Sequence, residues 1–292
     1  MIRSVAVIGI GEMGAPIAHR IRKAGFALAV CDRDASRLAA FAQDGVRATC
    51  DIGDCAAADA VLILVSTEEQ LRMVTVGEAG LARWIDPARR PLVLVGSTVS
   101  PKAMTDLAAQ LCTPVLDTPV SGGSARAETG NLTVLAGARD QDLRAAMPLL
   151  ESFADNIFAC GPVGAGQTVK IINNVLCTAN IMLMAEGYRM ALHQGLDLDQ
   201  ITAALDVSTG RNFLTSGPRS VAQVMADFTT NRPAFEAIQA ILRKDSALGA
   251  RMAAAAVDDF PVTRALGAMV AELGDETWRT WAELGALVRN PL

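Results

Sequence analysis

The chain has 292 residues, 51% hydrophobic and 20% charged, with a formal net charge of −5 and a sequence pI near 5.2. That length holds one large domain or two ordinary ones, and the apolar share excludes a disordered chain. The acidic balance argues against nucleic acid or an anionic membrane surface as a partner, and aromatics at 4% are too few for base-stacking platforms. Six cysteines (31, 50, 55, 112, 160 and 177) form no CxxC pair, and the histidines are His19 and His193 alone, so no metal is expected. The thiols read as buried and reduced, in a cytoplasmic protein. IRSVAVIGI opens the chain as a strand, with no signal peptide. The apolar run 171–184 is broken by Asn173, Asn174 and Asn180, and reads as too short and too polar for a membrane span.

In chain order, VAVIGI (5–10) predicts a strand, followed by a helix over 15–24 that ends at Gly25. ALAVCD (27–32) is the next strand, then a helix over 35–44. AVLILV (60–65), PLVLVG (91–96), PVLDTPV (114–120) and LTVLAG (132–137) complete the strand set. Continuous apolar strands separated by helices imply a parallel sheet covered on both faces, the doubly wound α/β (Rossmann) arrangement. Near GPVGAG (161–166) the rhythm changes. Helices are then expected over 165–193, 198–208, 217–226, 233–256, 262–273 and 277–288. The fold class is therefore α/β, with an N-terminal doubly wound domain over 1–162 and an all-helical domain over 163–292.

Three stretches carry chemistry. Gly9, Gly11 and Gly14 form GxGxxG after a strand and at the start of a helix, the context a dinucleotide pyrophosphate requires. Gly9, Ile10, Gly11, Glu12, Met13 and Gly14 are thus cofactor-binding candidates, with the Glu12 carboxylate expected to point to solvent. Asp32 ends the second strand, where an acid accepts hydrogen bonds from the ribose hydroxyls and favours NAD. Arg33 could instead pair with the phosphate of NADP. Asp34 is the better helix cap of the two acids. Ser121-Gly122-Gly123 offers a hydroxyl and backbone N–H groups able to hold a carboxylate, or is a plain strand-to-loop turn. In GAGQTVKIINN (164–174), Lys170 and Asn174 lie four residues apart on one helix face. Lys170 is either a snorkelling surface residue or, at the start of the second domain, a side chain facing the cleft between the two.

Together these stretches resemble the β-hydroxyacid dehydrogenase family, which includes 3-hydroxyisobutyrate dehydrogenases and tartronate semialdehyde reductases. The resemblance spans essentially the whole chain, through GIGEMG (9–14), DTPVSGGSARAETGNLT (117–133), GAGQTVKIINN (164–174) and RKDSALG (243–249). It implies an oxidoreductase passing hydride between NAD(H), with NADP possible, and a small β-hydroxyacid resembling 3-hydroxyisobutyrate or 2-hydroxy-3-oxopropionate. The family's catalytic lysine falls on Lys170 and its supporting asparagine on Asn174. Its substrate-anchoring Ser-Gly-Gly falls on Ser121, Gly122 and Gly123. Its late Lys-Asp pair falls on Lys244 and Asp245, at the cofactor. Thr98 matches a contact on the nicotinamide side, and Val65 and Ser66 match a loop over the cofactor. Arg211 and Phe213, in STGRNF (208–213), match a variable substrate loop or are a solvated connection. The family also implies a homodimer or homotetramer.

Gly96 stands where an acid is common, Gly137-Ala138 replaces Gly-Gly, and the tail GDETWRTWAEL lacks the family's late aspartate. As general acid/base, Lys170 needs its pKa lowered from about 10.4, by burial or by repulsion from Lys244. An imine reductase usually lacks this lysine, 6-phosphogluconate dehydrogenase needs a longer helical domain, and a catalytically silent NAD(P)-binding protein would not need Lys170, Asn174 and Ser121 together.

Overall fold

The computed structural model describes residues 2–42, 45–86, 88–217 and 220–289. The chain forms two compact units, Met1–Lys170 and Ile171–Leu292.

The first unit is built on a nine-stranded sheet: β1 (Ser4–Ile8), β2 (Ala27–Cys31), β3 (Arg47–Thr49), β4 (Ala60–Ile63), β5 (Leu92–Val95), β6 (Val115–Asp117), β7 (Val120–Ser121), β8 (Leu132–Gly137) and β9 (Ala154–Gly161). The order is β3-β2-β1-β4-β5-β6-β8-β7, with β9 beside β8. From β3 to β6 every pairing is parallel, in the order of a dinucleotide-binding sheet. Side-chain alternation explains the apolar runs. Val5 and Val7 of β1 pack into one buried cluster with Leu62, Leu94 and Leu116, while Ala6 and Ile8 join Val61, Ile63, Val93 and Val95 on the other face. Helices α1 (Gly14–Lys23), α2 (Ala35–Ala42), α3 (Glu68–Thr75), α4 (Pro101–Gln110), α5 (Gly123–Thr129) and α6 (Asp140–Leu150) connect the strands.

The sheet is not wholly parallel. β8 runs antiparallel to both β6 and β7. PVLDTPV is two strands, because Pro119 has no N–H for a ladder and the chain leaves the β6 line after Asp117. β3 and β9 escaped the sequence reading. β3 has three residues, and β9 is mostly exposed, so neither shows a continuous apolar run. Nor are the thiols all buried: Cys31 and Cys55 are, Cys50 and Cys112 are exposed, and Cys160 and Cys177 are half-buried, all six free.

The division between units falls within α7 (Ala165–His193), whose first six residues belong to the first unit. At 29 residues, with a mean hydropathy of 1.3 over an 18-residue window, α7 has the length and composition to cross a membrane, and 33% of that window is buried. The expectation of a segment too short and too polar is corrected by length and composition alone: the helix extends beyond the apolar run 171–184, and its apolar residues outweigh the asparagines in the mean.

The second unit contains the rest of α7, then α8 (Leu198–Asp206), α9 (Val221–Phe228), α10 (Arg232–Ala254), α11 (Pro261–Ala271) and α12 (Asp275–Arg289). Its core gathers Ile181, Tyr188, Leu214, Phe235, Leu242, Leu266 and Trp281. Phe235 meets Trp278 and Trp281 edge-on, with ring centroids 5.4 and 5.9 Å away. α9 starts later than the expected 217. A capping box sets the start, with the Ser220 hydroxyl accepting from the Gln223 N–H and the Gln223 side chain accepting from the Ser220 N–H.

Candidate functional site

The glycine loop follows β1, at the point where the parallel sheet reverses its order, with β2 on one side of β1 and β4 on the other. Gly9 has φ +94°, and a Cβ there would lie 2.2 Å from the Leu64 carbonyl oxygen. A Cβ on Gly14 would lie 1.9 Å from the Gly9 carbonyl oxygen, so α1 can sit this close to the loop only with glycine. Among the described residues, apart from the two chain neighbours, a Cβ on Gly11 would meet only the Arg37 guanidinium within 4 Å, at 3.5 Å. α1 starts here with no side chain capping its N-terminus, which leaves room for a pyrophosphate to accept from its first turn. Ile10 is buried, Met13 half-buried, and Glu12 exposed as expected. These residues fit a dinucleotide.

Asp32 is buried and makes two hydrogen bonds that brace the loop. Oδ2 accepts the Ile10 N–H at 2.7 Å and Oδ1 accepts the Asp34 N–H at 2.9 Å. Arg33 is exposed. Arg37, absent from the sequence candidates, lies 3.7 Å from Asp32 and 3.5 Å from Asp34. Asp34 is the local cap, accepting the Ser36 N–H and O–H, and these bonds hold its carboxyl below the usual range.

A second network joins the ends of β4, β5 and β6 to α7, all within the first unit. The Val65 N–H donates to Ser97 Oγ at 2.7 Å. Ser97 and Val99 flank the half-buried Thr98, and both bond to the buried Gln167 side chain: Nε2 donates to the Ser97 carbonyl at 2.8 Å, and Oε1 accepts the Val99 N–H at 3.1 Å. The fully buried Asp117 accepts the Gly164 and Gln167 N–H groups, each at 2.8 Å. Burial pushes the Asp117 carboxyl above its ordinary range, against the pull of these donors and of the Gly166 N–H. Gly137 and Gly166 wall this socket. A Cβ on Gly137 would lie 2.3 Å from Asp117 Oδ1, and one on Gly166 2.1 Å from the Leu135 carbonyl oxygen. Asp117 and Gln167 were missed as candidates, although both lie inside stretches that carry the family resemblance.

Lys170, one turn after Gln167 on α7, is buried, at 7% exposed. In the second unit, Asn174 Nδ2 donates to Asp245 Oδ2 at 2.7 Å, and Asn174 Oδ1 accepts from Asn173 Nδ2 at 3.0 Å. Lys244 pairs with the other Asp245 oxygen at 3.0 Å. Ser121 is half-buried on β7; Gly122 (φ +134°) and Gly123 (φ +73°) follow it, exposed. Val65 is half-buried and Ser66 exposed, its N–H donating to Gln70. Arg211 pairs with Asp206 at 3.3 Å on the surface, Phe213 is exposed, and Asn212 ties the loop by accepting the Leu214 N–H.

Residues 4–161 match the family model of the NAD binding domain of 6-phosphogluconate dehydrogenase, and residues 164–284 match that of the NAD-binding domain of NADP-dependent 3-hydroxyisobutyrate dehydrogenase. The NAD-dependent L-serine dehydrogenase of Pseudomonas aeruginosa is 30% identical over 266 residues, 89% of each chain. The mitochondrial 3-hydroxyisobutyrate dehydrogenase of Mus musculus is 30% identical over 225 residues, 76% of this chain and 67% of the relative. Among solved structures, 3-hydroxyisobutyrate dehydrogenase of Mycobacterium tuberculosis with L-serine superposes at a TM-score of 0.78 over 99% of this chain and 100% of its own, at 23% identity, a likeness of fold. The chain belongs to the β-hydroxyacid dehydrogenase family. It is an NAD(P)-dependent oxidoreductase with a Rossmann domain and a helical domain, acting on small hydroxyacids.

Proposed function

We propose that the protein oxidises a small β-hydroxyacid with NAD⁺, or reduces the corresponding aldehyde acid, with Lys170 as the general acid/base. The observation that carries this reading is a buried lysine one helical turn from an asparagine whose amide is held by a buried carboxylate. A nicotinamide cofactor bound to the glycine loop supplies hydride acceptance or donation. Lys170 takes the substrate hydroxyl proton at Nζ during oxidation and returns it during reduction. Asp245 fixes the orientation of the Asn174 amide: with Nδ2 committed to the carboxylate, Oδ1, which already accepts from Asn173 Nδ2, offers its second lone pair to a substrate hydroxyl. Ser121 Oγ, with the backbone N–H groups of Gly122 and Gly123, holds the substrate carboxylate, while Arg211 and Phe213 select among substrate side chains. An imine reductase or a silent nucleotide-binding protein is not favoured, since the two relatives described above, each 30% identical, are hydroxyacid dehydrogenases by name. NAD⁺ reduction over a panel including 3-hydroxyisobutyrate, glycerate, L-serine and L-threonate tests the reading; tight NADH binding with no turnover on any hydroxyacid would remove it.

Two of these roles have direct tests. Ser121→Ala is expected to raise KM for the hydroxyacid by about 10–100-fold, as loss of a hydrogen bond to a charged group worth roughly 1.5–3 kcal/mol requires, and to leave NADH affinity little changed. Unchanged substrate kinetics would make Ser121 part of the turn alone. Asp32 makes NAD the preferred cofactor by repelling a 2′-phosphate, against Arg33 and Arg37, which would attract one. Asp32→Ala is expected to narrow the NADH-over-NADPH preference by binding titration, and a wild type that binds NADPH more tightly gives the arginines the deciding role.

The same reading places the protein in the cytoplasm as a homodimer or homotetramer. Along α7 the exposed apolar residues Val169, Leu176, Leu183 and Met190 recur every seven residues, with Ile172 beside them. A seven-residue apolar repeat is the pattern of a helix packed on a like helix, and a second copy of this chain supplies one. Sedimentation velocity at micromolar concentration is expected to show a dimer or tetramer, and a monomer would leave this stripe without that partner.

A further inference from the structure

Beyond β5, no strand among the described residues pairs with the backbone of Ser97 to Val99. Ser97 C=O and Val99 N–H, two residues apart, are an acceptor and a donor that a neighbouring strand would ordinarily satisfy. The Gln167 carboxamide takes the place of that strand, donating to the first at 2.8 Å and accepting from the second at 3.1 Å. At this position and reach only glutamine carries both functions: glutamate cannot donate when ionised, methionine can do neither, and asparagine is one methylene short. The backbone N–H of the same residue is fixed on the buried Asp117 carboxylate at 2.8 Å, and Asp117 also takes the Gly164 N–H. Ser97 passes the constraint on, since its hydroxyl accepts the Val65 N–H at 2.7 Å. A single buried chain of bonds thus runs from the segment ending β4, through the segment bearing Thr98, to the first turn of α7. Lys170 follows Gln167 at i+3, on the same face of the helix.

We propose that Gln167, seated by Asp117, is a positioning residue that locks the Thr98 segment to the turn of α7 bearing Lys170, so that the nicotinamide side of the cofactor site and the general acid/base keep one register. This inference rests on the proposed dehydrogenase reaction and on Thr98 lying at the nicotinamide side, as the family resemblance implies. Gln167 touches neither substrate nor proton. Its effect is geometric, and in hydride transfer a displacement on the order of 1 Å costs about 100-fold in rate.

The test uses the full-length protein with NADH, and two variants that preserve volume. Gln167→Met removes both bonds to the Thr98 segment. Its kcat is expected to fall about 10–100-fold, with KM for the hydroxyacid within about threefold of wild type and a primary isotope effect on kcat, from substrate deuterated at the carbinol carbon, larger than the wild type's. Gln167→Glu keeps the acceptor for the Val99 N–H and regains a donor to the Ser97 carbonyl only when protonated. The ratio of its kcat to the wild type's is therefore expected to rise as pH falls, measured well below the variant's melting temperature at every pH so that the pH-linked destabilisation of a buried carboxylate does not enter. Bound-NADH emission, which reports the nicotinamide environment without turnover, is expected to change in Gln167→Met while ADP-ribose affinity does not. A Gln167→Met variant with kcat within twofold of wild type and unchanged NADH emission would overturn the proposal. If the wild type turns over no hydroxyacid, the dehydrogenase reading falls by that result, and the emission of bound NADH still decides whether Gln167 positions the nicotinamide side.

Discussion

Lys170→Ala is expected to lose roughly 10²–10⁴ in kcat, the usual contribution of a positioned general acid/base. At about 1.36 kcal/mol per decade, that is on the order of 3–5 kcal/mol of transition-state stabilisation. The direction of pH dependence follows from the proton balance. Oxidation needs the neutral amine to receive the hydroxyl proton, so the high-pH arm supports it; reduction needs the ammonium, so the low-pH arm supports the reverse. Both arms are expected to flatten in Lys170→Ala. NADH binding is expected to change little, because the glycine loop and Asp32 are braced by their own bonds and not by Lys170. Steady-state rates in both directions across pH, with NADH titration of the variant, check each part. A variant with near-normal turnover would return Lys170 to a structural role.

The second large effect is on folding. Gly166→Ala places a methyl 2.1 Å from the Leu135 carbonyl oxygen, 2.8 Å from Asp117 Oδ2 and 2.9 Å from the Gly137 nitrogen. Two of these neighbours are backbone, and the third is a buried carboxylate holding the start of α7, so none can swing away cheaply. The expected cost is about 3 kcal/mol, the upper part of the overpacking range. At about 2–4 °C per kcal/mol for a unit of this size, Tm falls by roughly 6–12 °C. Gly187→Ala is the control on the same helix: among the described residues, apart from its chain neighbours and the helix's own backbone, nothing lies within 4 Å of the added carbon, and the expected change is under about 1 kcal/mol. Calorimetric melts of the two variants check the contrast. Equal melting temperatures would show that α7 shifts freely at its first turn, and would weaken the Asp117 socket as a fixed point.

The local part of this molecule is readable from composition and spacing because its causes are local. Apolar runs such as VLIL and LVLV become central parallel strands, since burial on both faces demands an apolar residue at every position. The glycine spacing at 9, 11 and 14 shows in one stretch because turn, close approach and helix start all occur within six residues. Asp32 was legible as the acid ending β2, but its bond to the Ile10 N–H, which makes it a brace of the glycine loop, was not. β3 and β9 had no apolar run to reveal them, and the antiparallel β8 depended on a break at Pro119 that the strand-like stretch PVLDTPV conceals.

The amino-acid sequence by itself determined the α/β unit followed by helices, the glycine loop with its acid, the family, and the placing of Lys170 and Asn174 one turn apart on a helix. Those features follow from periods of two and 3.6 residues and from motifs contained in short windows. Tertiary structure alone decided which polar groups meet. Gln167 closes on Ser97 and Val99 from about 70 positions away, its N–H reaches Asp117 from 50, and Asp245 takes the Asn174 amide across 71. No local pattern encodes such partners: a buried donor or acceptor must be satisfied, but which distant residue satisfies it depends on how strands and helices are brought side by side.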